Sequence, residues 1–262
     1  SRKQSPSITT DSSGVLLGNC RAAICTKSSE DLGSLPDGTV DLILTDPPYF
    51  DNLSYSELSD FYLAWHQSLR VAEPPYDDPT RPAPIDDNLA LTDREDHSVD
   101  TYRNRLDTIL RECGRVLNSE GIMVFTYHHK SAVAWSALGE ALAHSGLNCT
   151  NVLPMRGEGQ GGLHSYDGTI KWDAVFVCRK RIPKELAPTS RVVVPRQAID
   201  LARQRANAHA DALRRFKQVS FRSPDRLNLE RAMIVASATL QPDVPDVVPL
   251  SDALTATAEG VR

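Results

Sequence analysis

Hydrophobic and polar positions along the chain follow two alternating rhythms, and together they predict an α/β protein. Val40-Asp41-Leu42-Ile43-Leu44-Thr45 is an apolar run of strand length between Gly38 and a pair of prolines, which predicts a buried strand. Leu58, Phe61, Tyr62, Trp65 and Leu69 then recur at helical spacing, so a helix is expected over 56–70 with this stripe in the core. Tyr102, Leu106, Ile109, Leu110, Cys113 and Leu117 predict a second helix from Val99 to Leu117, and Gly121 introduces a strand from Ile122 to Thr126. Ser131 is placed to cap a helix carrying Trp135, Leu138 and Leu142, and Gly146 to stop it. Two further strands are expected near 147–154 and 172–178, joined by a glycine-rich loop.

The ends of the chain carry weaker patterns. Residues 1–12 read as a loose arm, with short strands at Val15–Leu17 and Ala22–Thr26 around a Gly18-Asn19 turn. Residues 71–100 hold five prolines and nine acidic residues, the composition of an insertion loop over or beside a site. Past Lys180, one helix is expected to carry Arg196, Arg203, Arg205, Arg214, Arg215 and Lys217, with a second near 225–240 and a frayed tail over 241–262. The domain reading is a catalytic unit over 1–182, containing the acidic proline-rich loop at 71–100, and a basic helical extension and tail over 183–262.

Composition narrows the setting. A chain of 262 residues with 40% hydrophobic content can bury one sizeable core, and no apolar run reaches the roughly 18 residues that span a bilayer. The cysteines at 20, 25, 113, 149 and 178 form neither a CxxC pair nor a Cys/His ligand set, so reduced thiols in a cytoplasmic protein are expected, with no metal site. The net charge of −5 weighs against a strong unaided grip on DNA; the basic helix is first of all a solvated face, and second a surface that could track phosphates.

The chemistry lies where the first long strand ends, in Asp46-Pro47-Pro48-Tyr49-Phe50. An amine attached to an aromatic ring is a poor nucleophile because its lone pair is delocalised, and it needs acceptors that hold its hydrogens out of plane. Asp46 would accept one such hydrogen bond and the Pro47 carbonyl, on a backbone stiffened by two fixed φ angles, the other. Tyr49 offers an aromatic face to an unstacked base. Thr45 to Phe50, continuing through Asp51-Asn52-Leu53-Ser54-Tyr55-Ser56-Glu57-Leu58-Ser59-Asp60-Phe61, resembles the amino-methyltransferases of the DPPY type, and most of all large bacterial and archaeal adenine-specific DNA methyltransferases. Phe125-Thr126-Tyr127-His128-His129-Lys130 and Trp172 to Lys180 are similar to that group as well, so the resemblance covers about residues 15–182.

The resemblance implies a Rossmann-like class I methyltransferase sheet and S-adenosylmethionine-dependent methylation of adenine N6 in DNA, in a setting such as restriction–modification or phage defence. It implies Asp46, Pro47, Pro48 and Tyr49 as catalytic residues and Asp46 and Ser28 beside the cofactor. Phe50, Tyr55, His128, His129, Arg156 and His164 are the candidate substrate contacts. Gly157-Glu158-Gly159-Gln160-Gly161-Gly162 satisfies GxGxxG on paper, but it follows a late strand and opens no helix, so a hairpin loop is expected instead. The glycine turn that members of this family use for the cofactor, F-x-G-x-G, is not found in the sequence. The sheet is therefore expected to be incomplete at its N-terminal half, with the cofactor loop on a second chain or another segment. An inactive scaffold or partner-binding subunit derived from such an enzyme is the alternative, and methylation of an RNA or protein amine a further one.

Overall fold

The computed structural model describes residues 8–9, 15–16, 18, 22–23, 28–50, 61–62, 64–65, 98–157, 169–181, 191–217, 221–240 and 244–259. Near the N-terminus, β1 (Ile8–Thr9) and β2 (Ala22–Ala23) pair in parallel. The arm thus contributes a strand, whereas Val15 and Leu16, expected to be extended, are helical and close a turn through Gly18 N–H to the Val15 carbonyl at 2.9 Å.

The central sheet has the order β3-β4-β6-β5. β3 (Val40–Thr45) lies parallel to β4 (Leu117–Tyr127), and β5 (Leu147–Arg156) and β6 (Trp172–Lys180) form an antiparallel hairpin whose β6 arm pairs with β4. β3 has the predicted bounds. β4 starts five residues before the expected Ile122, because Leu117 already pairs with Val40 and residues 118–121 bulge out before Ile122 meets Leu42. The whole is a mixed α/β fold built on a four-stranded mixed sheet.

Helix α1 (Val99–Val116) begins at Ser98, whose hydroxyl accepts from Thr101 N–H at 3.1 Å, so residues 98–100 belong to the helix and not to the insertion loop. Its buried Tyr102, Leu106, Leu110 and Cys113 sit on the predicted stripe. Gly114 is required there, since a β-carbon would collide with the Ser145 carbonyl. Helix α2 (Ala132–His144) starts at the Ser131 cap and ends before Gly146, which adopts φ +77°.

Beyond the sheet, β7 (Val193–Pro195) leads into α3 (Arg196–Lys217), and α4 (Ser223–Ala238) packs beside α2. The expected frayed tail is instead ordered: β8 (Val247–Pro249) pairs antiparallel with β7, and α5 (Leu250–Glu259) buries Leu250, Ala253 and Leu254 against the core. Two copies of Val-Val-Pro, at 193–195 and 247–249, find each other.

The helices cover one face of the sheet. Met123, Phe125 and Tyr127 of β4 and Trp172, Ala174, Phe176 and Cys178 of β6 point into that core, where Trp135 of α2 meets Phe176 and Tyr127. On the other face stand Leu42, Leu44, Ile122, Val124, Val175, Val177, Leu153 and Met155, and no described helix covers them. Leu42 is 58% exposed, Leu44 75%, and Leu153 and Met155 42% and 45%. A sheet containing parallel strands and apolar on both faces is the type that other proteins cover with helices on both sides. The aromatic stripe behaves likewise: Phe61, Tyr62 and Trp65, expected in the core, are each more than half exposed, and they contact one another edge to face. Helical spacing places the three on one side of a helix, but it does not supply the surface that would bury them. Leu58 and Leu69 lie outside the described residues.

Candidate active site at the carboxyl edge of the sheet

β3, β4 and β5 all point their carboxyl ends at one edge, and β6 begins there. This edge gathers Asp46, His128, Arg156 and Asp173, in the position where open α/β sheets hold ligands. Because Thr45 stands opposite Phe125, Asp46 falls opposite Thr126; because Tyr127 stands opposite Ala174, His128 falls opposite Asp173. The period of two along each strand puts Asp46, Thr126, His128 and Asp173 on the face that no described helix covers.

Asp46 is exposed at the strand end. Its Oδ1 accepts the Tyr49 hydroxyl at 2.8 Å and the Thr126 hydroxyl, while Oδ2 accepts no hydrogen bond among the described residues. Tyr49 also reaches Thr126 at 3.3 Å. Burial lifts the Tyr49 hydroxyl well above the ordinary phenol range, and the neighbouring carboxylates of Asp46 and Asp173 push the same way. It therefore remains a donor throughout the physiological range. The Pro48 carbonyl accepts the Tyr102 hydroxyl at 3.0 Å, whereas the Pro47 carbonyl accepts nothing among the described residues. The turn is thus pinned from α1 through the Pro48 carbonyl.

Tyr49 is only 9% exposed. Its ring stands edge-on to Tyr127 at 5.1 Å and to His128 at 4.7 Å, so a base can lie on it only after the ring turns outward. Phe50 is half-buried between Tyr102 and His129, with ring centroids at 5.3 Å and 6.0 Å.

The two histidines differ in role. His128 Nδ1 lies 2.5 Å from Asp173 Oδ1, in a pair that is only partly buried. His129 organises the chain locally: its Nδ1 accepts Ser131 N–H at 2.9 Å, its carbonyl accepts Trp135 Nε1–H at 2.9 Å, and its N–H donates to Asn228 at 3.2 Å. Arg231, itself buried, donates to the Lys130 carbonyl at 2.6 Å and holds the same loop from α4.

Asp173 is set by a buried carboxylate one layer away. Asp225 Oδ1 accepts the Lys171 and Trp172 N–H groups at 2.6 and 3.2 Å, and Oδ2 accepts Arg222 N–H at 3.0 Å, so one side chain caps α4 and starts β6. Asp225→Ala leaves those donors unmatched and is expected to cost roughly 2–4 kcal/mol, read as a lower urea midpoint with unchanged slope.

A cavity of about 360 Å³ adjoins the motif, lined by Asp46, Pro47, Pro48 and Tyr102 together with Ile43, Leu106 and Leu110. Ser29 also lines it. Ser28, the expected cofactor contact, donates to Glu30 Oε2 at 3.1 Å and accepts Glu30 N–H at 3.2 Å, and Glu30 in turn pairs with Arg105 at 2.7 Å. Arg156 ends β5 exposed on the same edge. Tyr55, His164, the glycine-rich loop over 158–162, residues 71–97 and Cys20 and Cys25 lie outside the described residues. Cys113, Cys149 and Cys178 are free and buried, and burial pushes the Cys113 thiol up to about 11.

On α3, Arg203, Arg205, Arg214 and Arg215 are exposed as expected, although Arg203 pairs with Glu230 at 3.1 Å and Arg214 approaches Asp211 at 3.9 Å. Among the described residues no three His, Cys, Asp or Glu side chains cluster as a metal site, and no helix is long and apolar enough to cross a membrane.

Thr126, Asp173 and Asp225 were not singled out in the sequence, and Tyr102 was read only as part of a helical core stripe. Thr126 and Asp173 sit inside segments that carry the family resemblance, but their place beside Asp46 and His128 depends on strand register, which one strand's sequence does not contain. Fold and edge geometry together define an α/β protein with an acidic, aromatic-lined site at the end of an edge strand. A scan of protein-family models gives no match to this chain, and a search of curated proteins gives none either.

Proposed function

We propose that this chain is the substrate half of an S-adenosylmethionine-dependent adenine-N6 DNA methyltransferase, with a Rossmann-like sheet that is completed by another segment or chain. The observation that carries the reading is Asp46-Pro47-Pro48-Tyr49 at the carboxyl end of β3, with Asp46 exposed and its Oδ1 held by the Tyr49 and Thr126 hydroxyls. The order β3-β4-β6-β5 with its antiparallel hairpin supports it, being the arrangement expected for the second half of such a sheet.

The chain fits one end of the cofactor only. A carboxylate beside an apolar cavity suits a methyl group carried on a sulfonium, but the glycine turn for the rest of the cofactor is not in the sequence and Ser28 is committed to Glu30. S-adenosylmethionine would supply the electrophilic methyl group. Asp46 and the Pro47 carbonyl would hold the two amine hydrogens, so that the nitrogen lone pair leaves the ring plane, and Thr126 and Tyr49 would fix the carboxylate that does so. The exposed Leu42 and Leu44, beside the half-buried Val124 and Val177, support docking of the segment that brings the rest of the cofactor site. The same row would equally serve an inactive partner-binding subunit, and methyl transfer separates the two readings.

Tyr49→Phe keeps the buried ring and removes one donor to Asp46. Methyl transfer by the assembled protein is expected to fall about tenfold, with folding stability changed by roughly 1 kcal/mol. Steady-state kinetics beside a denaturation curve check this, and unchanged kinetics would remove Tyr49 from the chemistry.

A further inference from the structure

We infer that Arg156, Lys171, Arg214, Arg215 and Arg222, with Lys130 beside them, form a basic rim that holds the phosphate backbone of duplex DNA next to the Asp46 site; the choice of DNA rests on the methyltransferase reading above. These residues come from five places in the sequence, and the fold brings them to one edge. Arg156 ends β5 and Lys171 immediately precedes β6, so both lie at the carboxyl edge. Asp225 ties the start of α4 to that edge through the Lys171 and Trp172 N–H groups, and Phe221 meets the Trp172 ring at 5.5 Å. Helix α3 runs antiparallel to α4: Arg203 reaches Glu230 at 3.1 Å, and Asn207, one turn further along α3, accepts at 3.2 Å from Arg226, one turn earlier in α4. The end of α3 therefore returns to where α4 begins and carries Arg214 and Arg215 toward Arg222. Lys130 follows β4 on the loop that Asn228 and Arg231 of α4 hold.

Lys171 is half-buried and the other five are exposed. Among the described residues the side chains of Lys130, Arg156, Lys171 and Arg215 make no hydrogen bond or ion pair, and Arg214 only approaches Asp211 at 3.9 Å. The arginines of α1 behave differently: Arg103, Arg105, Arg111 and Arg115 each spend their charge on a carboxylate. A chain of net charge −5 that gathers uncommitted cations at the edge of its candidate site offers a polyanion a local place to bind. Strand register sets Arg156 opposite Trp172, on the helix side of the sheet, whereas Asp46 and Asp173 stand on the other face. The ends of β5 and β3 are three strand spacings apart, roughly 14 Å. Phosphates on the rim thus stay clear of the Asp46 carboxylate, while a base swung out of the duplex reaches across the edge to it.

Fluorescence anisotropy of a labelled DNA duplex with the full chain, titrated from about 50 to 200 mM salt, tests the rim. The wild type is expected to bind with an affinity that falls steeply with salt, and the combined Arg156→Gln, Lys171→Gln, Arg215→Gln variant to lower the slope of log affinity against log salt by about three, one per phosphate contact. Arg156→Lys, Lys171→Arg and Arg215→Lys together keep the charges and should keep the slope. Arg196→Gln removes a charge at the opposite end of α3, where it pairs with Asp246, and should leave the slope as it is. No binding by the wild type at about 50 mM salt, or an equal slope in the triple Gln variant, overturns the rim. Tighter binding of an RNA duplex of the same sequence overturns DNA as its partner. Rim-dependent DNA binding without methyl transfer by the assembled protein overturns the methyltransferase reading and leaves the rim in place.

Discussion

Asp46→Ala is expected to lower methyl transfer by a factor of about 1,000 or more while the chain folds as before. The loss follows from the role proposed for the carboxylate, as the charged member of the pair that would pull the amine hydrogens out of plane; groups that stabilise developing charge in this way contribute about 100- to 1,000-fold each. Folding survives because Asp46 is exposed and because the Tyr49 hydroxyl keeps Thr126 as a neighbour at 3.3 Å. Asp46→Asn is the sharper variant. It preserves shape and one acceptor oxygen but gives up the charge, so its activity should fall between the two. Kinetics with a matched thermal denaturation curve decide the matter, and an Asp46→Ala protein that retains transfer would exclude the proposed role.

The second large effect belongs to the sheet face that no described helix covers. Leu44 is 75% exposed, so Leu44→Glu should leave the isolated chain's stability within about 1 kcal/mol of the wild type. In the assembled protein the same charge would be buried against the docking segment without a partner, and binding of S-adenosylmethionine should weaken about 100-fold or more by calorimetry. Collapse of the isolated chain on Leu44→Glu would mean that the face is already used within it. Undiminished cofactor binding by the assembled variant would mean that nothing docks there.

Much of the fold is legible because its signals are local. β3, α1 and α2 fall within a residue or two of the predicted bounds, since each is marked by an apolar period together with a cap or a terminating glycine, as with Ser131 and Gly146. What was missed depends on pairing or covering at a distance. The tail over 241–262 is polar enough to read as frayed, yet Val247–Pro249 pairs with Val193–Pro195 and Leu250 and Leu254 fill a gap beside α2. Phe61, Tyr62 and Trp65 have the right period for a core stripe but are more than half exposed, with no covering surface among the described residues. β4 shows the point most directly: Met123 and Phe125 face the helices while Ile122 and Val124 face outward, so both alternations are apolar and the sequence describes a strand covered on two sides.

The site follows the same division. Asp46 to Tyr49 were readable as a contiguous motif, and His128 from its place after a strand. That Tyr49 is turned edge-on into Tyr127 and His128 was not readable, nor that His129 spends its ring on the Ser131 amide and Ser28 its hydroxyl on Glu30. Each of these depends on which neighbour arrives first to satisfy a polar group, and only the folded chain fixes that order.

Nucleoside analysis by mass spectrometry of duplex DNA incubated with S-adenosylmethionine and the protein assembled with its cofactor half tests the central claim most directly. N6-methyladenine is expected in the wild-type reaction and none above background with Asp46→Ala. Unmodified adenine in both reactions, or equal N6-methyladenine from the two proteins, would contradict it.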